Sequence, residues 1–261
     1  MYPSENSHNN MPTFHNTYIR PCISELVGSA FLSFLVHMSC EHSALFHVSY
    51  PIFSGLSFLA VNMMFKRVSG GLFNPGTTLF VSMIGRLNSI LMFPYIVVQI
   101  FGAILGSILF SLLVSDQIFT DYALGSKLML TSEGQPYITR LQGFVLETIL
   151  SILVMLPYKE FENENENDLS HSILVSGTWT LAQFVSNKWT GLSANFALQL
   201  SSGLIYNLFL GTTDQIEFIY LNIIALMAAA IISYALVSLM KSSSEGDNNY
   251  REPEGRNGTE K

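Results

Sequence analysis

Two glutamates and two asparagines stand in stretches of this chain that are otherwise apolar. Glu25 lies in SELVGSAFLSFLV and Glu147 in LETILSILVML. Asn74, in GGLFNPGTTLF, follows Glu25 by 49 positions, and Asn195, in TGLSANFALQL, follows Glu147 by 48. A carboxylate inside a membrane span is costly unless it is satisfied, so it marks either an anchor or a pathway. An asparagine ahead of a short apolar helix is a good N-cap, because its side-chain oxygen accepts the first orphan backbone N–H groups. None of this resembles covalent chemistry. No Cys/His cluster has zinc spacing, and no glycine-rich loop forms a phosphate cradle. His37 and His171 read as packing residues. No catalytic residue, metal site or cofactor is expected, and the chain is not read as an enzyme.

The elements that must hold these residues are membrane helices. Of 261 residues 49% are hydrophobic and 12% charged, where a soluble domain carries roughly 25% charged residues; mean hydropathy is +0.37. Six apolar stretches reach spanning length, about 20 residues, near 22–40, 48–65, 90–114, 141–158, 169–186 and 216–240. The polar arm 1–17 and the tail 241–261 read as disordered cytoplasmic segments, and the arm lacks the early apolar core of a signal peptide. With the N-terminus inside, nine Lys and Arg collect on the inner side and three (Lys127, Arg140, Lys188) on the outer, which the positive-inside rule requires. Both termini are therefore expected in the cytoplasm of a multi-pass protein, of the plasma membrane or an intracellular one. The sequon at Asn257 falls inside, and the acidic run ENENEND reads as a solvated inner loop. Cys22 and Cys40 share one span about 27 Å apart, beyond disulfide reach. Trp179 and Trp189 flank the fifth span as interfacial aromatics, with Trp189 alternatively at a pore mouth. Gly102 and Gly106 have the spacing of a close helix contact.

The acids and asparagines recur once per three spans, which divides the channel domain 18–240 into repeats 18–115 and 140–240. An odd number of spans per repeat inverts one half against the other. Inverted repeats place their shared site near the bilayer midplane, between half-helices. Asn74 precedes Pro75, favoured at the first helical position, and Gly70 and Gly71 supply the turn before it. In the second half Thr190 and Gly191 turn the chain ahead of Asn195. Irregular backbone at membrane depth survives only in protein or along a water-filled cavity, so the two breaks imply a pore or a site.

Glu25, Glu147, SGGLFNPG at 69–76 and PYIVVQIFGAILGSIL at 94–109 resemble the aquaporin (major intrinsic protein) family over about 20–240. IRPCISELVGSAF at 19–31 is similar to its aquaporin-8, or aquaammoniaporin, branch. The resemblance implies an all-α membrane fold of six transmembrane helices and two re-entrant half-helices in an inverted repeat, assembled as a homotetramer. The family's two Asn-Pro-Ala motifs read Asn74-Pro75-Gly76 and Asn195-Phe196-Ala197 here, the second degenerate. The resemblance places a selectivity filter at Ser54, Gln183, Leu192 and Leu198, with Leu198 in place of the pore-narrowing arginine. It makes Glu25 and Glu147 anchors for the re-entrant loops, whose carbonyls line the path. The implied function is passive passage of water and small neutral solutes (glycerol, ammonia, hydrogen peroxide) across the lipid bilayer, with no nucleic-acid partner. The alternative, kept open by Phe196 and Leu198, is a poorly conducting protein of the same fold with a structural or interaction role.

Overall fold

The chain is described by a computed structural model over residues 14–248, apart from 40–45, 122–124, 126, 161–167, 193, 212–215 and 217. Cys40, most of the acidic run and the sequon lie outside the described residues. In chain order the α-helices are α1 (Arg20–Met38), α2 (Phe46–Ser69), α3 (Pro75–Met83), α4 (Ser89–Leu113), α5 (Asp116–Asp121), α6 (Arg140–Met155), α7 (Asp168–Ser186), α8 (Phe196–Leu210) and α9 (Ile219–Asn248). The six long helices α1, α2, α4, α6, α7 and α9 answer the six expected spans. Four stretches, His15–Met38, Ser89–Leu113, Arg140–Lys159 and Ile219–Met240, combine spanning length with mean hydropathy of 1.5, 2.4, 1.6 and 2.4. Ends differ from expectation. A π-helical turn, His15–Ile19, leads into α1, and α9 stays helical to Asn248, so helical backbone reaches into both segments expected to be disordered. Proline is tolerated at the start of α1 as Pro21, and α9 meets no proline before Pro253.

The helices pack in a two-fold pattern. α1 packs on α2 and α4 as α6 packs on α7 and α9; α4 meets α8 as α9 meets α3; α2 meets α7, and α3 meets α8. This is the inverted repeat. The α1–α4 crossing is close because Gly102 and Gly106 face it: a Cβ there would run into the carbonyl oxygens of Leu26 and Ala30. The same interface is polar inside. Ser33 and Ser107 share a hydrogen bond of 3.0 Å, Ser107 reaches Ser201 of α8 at 3.2 Å, and His37 pairs with Ser202 at 2.7 Å and the Ser33 carbonyl at 2.7 Å. His37 is thus a satisfied packing residue, and its partners fix α8 against α1 and α4. The core otherwise runs from Leu32 and Val36 through Phe58, Phe73, Trp179 and Leu198 to Ala229 and Val237.

Candidate functional site

Both breaks are capped as their residue types require. Asn74 has extended backbone (φ −149°), its Oδ1 accepts the Gly76 N–H at 3.0 Å, and Pro75 opens α3. Asn195 (φ −141°) caps α8 through two donors, Ala197 N–H at 3.0 Å and Leu198 N–H at 3.4 Å. At about 1.5 Å per residue, the nine residues of α3 reach about 14 Å, half a bilayer core. Phe196 holds the first helical position without proline and is half-buried against the core.

The residue before each asparagine is left-handed: Phe73 at φ 46° and Ala194 at φ 56°. Non-glycine residues rarely adopt this region, and such strain concentrates at functional sites. Here it turns two carbonyls toward the opposite repeat. Asn74 Nδ2 donates to the Ala194 carbonyl at 2.7 Å, and Asn195 Nδ2 donates to the Phe73 carbonyl at 2.9 Å. The two half-helix N-termini therefore meet through a reciprocal pair of hydrogen bonds. Each amide nitrogen carries two N–H groups, and the reciprocal bond uses one.

The acids hold the loops that deliver these asparagines. Glu25 is fully buried and accepts from Ser69 Oγ (2.6 Å), Leu72 N–H (3.1 Å), Phe73 N–H (2.8 Å) and Gln99 Nε2 (2.8 Å). Glu147 accepts from Thr190 Oγ1 (2.5 Å), Ala194 N–H (3.3 Å) and Gln199 Nε2 (3.4 Å). Both acids reach the left-handed residue itself. Sequence reasoning missed Gln99, Gln199, Ser69 and Thr190 as partners of the acids, although a glutamine inside so apolar a helix as α4 is itself an intramembrane polar signal. The second loop is also bonded to the segment before α6, by Lys127 N–H and Met129 N–H on the carbonyls of Thr190 and Trp189, and by Leu192 N–H on that of Gly125.

Three of the first loop's carbonyls are engaged by side chains. Tyr95 donates to Ser69 O (3.2 Å), Asn62 (2.9 Å) and Tyr158 (3.3 Å) to Gly71 O, and Asn195 to Phe73 O. Leu192 O accepts from Gln199 Nε2 at 3.0 Å.

The expected filter positions Ser54, Gln183, Leu192 and Leu198 are all buried, none more than 1% exposed. Two are bonded by an aromatic of the facing helix: Tyr50 of α2 to Gln183 Oε1 at 3.3 Å, and Trp179 of α7 to Ser54 Oγ at 2.9 Å. Trp179 is therefore no interfacial residue. It shares a helix face with Ser172, Ser176 and Gln183 at steps of three and four, and that face turns inward. Trp189 does fit the interfacial reading, half-buried, edge-on to Tyr137 at 6.0 Å with Lys188 Nζ 5.2 Å from its ring. Cys22 is a free, half-buried thiol beside an apolar groove with Tyr18, Ile23 and Pro94.

The model of the family described as Major intrinsic protein matches residues 13–245. Aquaporin-8 of Notomys alexis is 34% identical over 146 residues, 55% of this chain and 54% of that protein. Aquaporin-8 of Mus musculus is 32% identical over 145 residues, again 55% and 54%. The matched part thus spans about half the length of these curated relatives. Among solved structures, the aquaglyceroporin from Plasmodium falciparum superposes with a TM-score of 0.72 at 18% identity, covering 85% of this chain and 99% of that one, a likeness of fold.

Proposed function

The chain belongs to the major intrinsic protein family, and from that premise we propose that it is a passive transmembrane channel for water and small neutral solutes. One observation carries the reading: two half-helix N-termini joined by reciprocal Asn74 and Asn195 bonds at the centre of the inverted repeat. Each N-terminus brings partial positive charge, which opposes protons and cations. The remaining N–H of each asparagine amide supplies a donor for a neutral molecule passing between them. Glu25 and Glu147 act as positioning residues that hold the loops. Both termini lie in the cytoplasm on this reading, and the assembly is a homotetramer, as the resemblance implies.

A second reading, a poorly conducting protein with a structural or interaction role, is favoured by the burial of Ser54, Gln183, Leu192 and Leu198. Osmotic swelling of proteoliposomes separates the two. The channel reading expects water flux well above protein-free vesicles, lowered when Asn195→Asp replaces the donor to Phe73 O with an acceptor. Vesicles no more permeable than empty ones to water, glycerol, ammonia and hydrogen peroxide favour the structural role.

A further inference from the structure

On the inward faces of α2 and α7 the side chains form a ladder. Tyr50 bonds Gln183, Trp179 bonds Ser54, and Ser172 Oγ donates to Asn62 Oδ1 at 2.7 Å. Trp179 of the middle rung also belongs to an aromatic pair. The rings of Phe58 and Trp179 stack at 5.3 Å between centroids, 27° from parallel, and both residues are at most 1% exposed. Phe58 lies four residues past Ser54 on α2, and Trp179 four before Gln183 on α7. The helices run in opposite directions, so both steps lead the same way, one turn inward from the filter positions.

The pair's other neighbours fix its place along the path. Phe58 is edge-on to Phe73 at 6.3 Å, and Phe73 is the left-handed residue whose carbonyl accepts Asn195 Nδ2 at 2.9 Å. On one side the pair touches a filter residue through the Trp179–Ser54 bond; on the other it touches the loop that carries the asparagine pair. On the channel reading, the pair thus stands between Ser54 and Gln183 on one side and the asparagine pair on the other. Aromatic stacking and a satisfied indole N–H give the pair a defined geometry, while Leu192 and Leu198 offer flexible aliphatic tips and no hydrogen bond from their side chains.

We propose that Phe58 and Trp179, latched by the Trp179–Ser54 hydrogen bond, form a second constriction that sets the size limit of the channel, admitting water and excluding polyols such as glycerol. This rests on the channel reading above and adds to it the residues that choose the solute. On this proposal the rings, and not the aliphatic Leu192 and Leu198, set the limit.

The test is stopped-flow swelling of proteoliposomes in water and glycerol gradients, at matched protein abundance, with only monodisperse variants compared. Wild type is expected to pass water and exclude glycerol. Trp179→Ala and Phe58→Ala each open the constriction and raise the glycerol-to-water permeability ratio by about tenfold or more. Trp179→Phe keeps a ring but loses the latch, and gives an intermediate ratio; it also stands in for the alanine variant should that one fail to fold. Leu198→Ala, which enlarges a filter position alone, leaves glycerol excluded. Wild type that already passes glycerol, or ring variants with an unchanged ratio, overturns the proposal while leaving the channel reading intact. If wild type is closed to water and Trp179→Ala conducts, the constriction is supported in a tighter form. If neither wild type nor any variant exceeds empty vesicles, the channel reading fails and the constriction with it.

Discussion

Restoring the family's alanine at Gly76 should harm this protein. An ideal Cβ at that position would run into Leu226 Cγ and lie 2.5 Å from Leu226 Cδ1 and 2.8 Å from Met155 Cε, against a comfortable carbon–carbon separation of about 3.5–4.0 Å. Three overlaps of about 1 Å follow, and overpacking of this kind costs about 1–3 kcal/mol. Leu226 Cδ1 and Met155 Cε are flexible tips, but Leu226 Cγ is the branch carbon and moves only with its whole side chain, which puts the cost near the middle of that range, about 2 kcal/mol. Gly76 is not in the left-handed region, so alanine also gains about 0.4–1 kcal/mol by restricting the unfolded chain. The net expectation for Gly76→Ala is destabilisation of about 1 kcal/mol. Leu226→Ala removes both obstructing atoms of that side chain, and in that background Gly76→Ala should be neutral or stabilising, a coupling of about 1 kcal/mol within the range for touching residues. Because Gly76 N–H is the donor that Asn74 caps, the displaced half-helix should also lower water flux. The assay is the thermal half-life of the detergent-solubilised protein, which suits an irreversible transition, for all four members of the cycle. An equal effect of Gly76→Ala in the wild-type and Leu226→Ala backgrounds would refute the packing account.

Three further outcomes follow from the same geometry. Glu25→Gln should shorten the thermal half-life sharply, because the new amide NH2 faces a backbone N–H whichever way it turns, Leu72 on one side and Phe73 on the other. A buried unsatisfied donor costs about 1–3 kcal/mol, and unchanged stability would mean that the carboxyl does not accept at both oxygens. Water flux should resist mercurials, since Leu192 occupies the position three before Asn195 and Cys22 borders an apolar groove; rapid block abolished by Cys22→Ser or Cys40→Ser would contradict this. An epitope placed at the Glu133–Gly134 turn should be labelled on intact cells and one within 161–167 only after permeabilisation, and the reverse pattern would invert the topology.

The parts of the site legible in the sequence are those whose residue types are unusual for their surroundings. An acid in an apolar span and an asparagine before a short helix announce themselves, and the matched spacings of 49 and 48 expose the repeat. The glycines at 70, 71 and 191 correctly mark turns, all three with positive φ. The left-handed residues that aim the decisive carbonyls are instead Phe73 and Ala194, two or three positions later, and nothing in a phenylalanine advertises positive φ. That conformation is imposed by tertiary bonds: the acid on the N–H of Phe73 and of Ala194, and the opposite asparagine on each carbonyl. The interfacial reading of Trp179 fails because nearness to one end of a span says nothing of facing, whereas its spacing to Ser172, Ser176 and Gln183 marks the inward face.

The divergence of the second motif follows from how each repeat ties its acid to its half-helix. In the first repeat the tie comes from outside the half-helix: Gln99 of α4 donates to Glu25 and meets Thr78 of α3 at 2.8 Å. In the second repeat the amide belongs to the half-helix itself. Gln199 stands four residues after Asn195, as Thr78 stands four after Asn74, and it donates to Glu147 and to the Leu192 carbonyl. The first turn of α8 is thereby fastened to its own loop, and Asn195 caps two of its N–H groups where Asn74 caps one. Proline stabilises a helix start by fixing φ in advance, a contribution that matters most where fewer side-chain bonds define the turn. With Gln199 and the double cap in place, position 196 is released from that duty, and Phe196 packs its ring against the core instead.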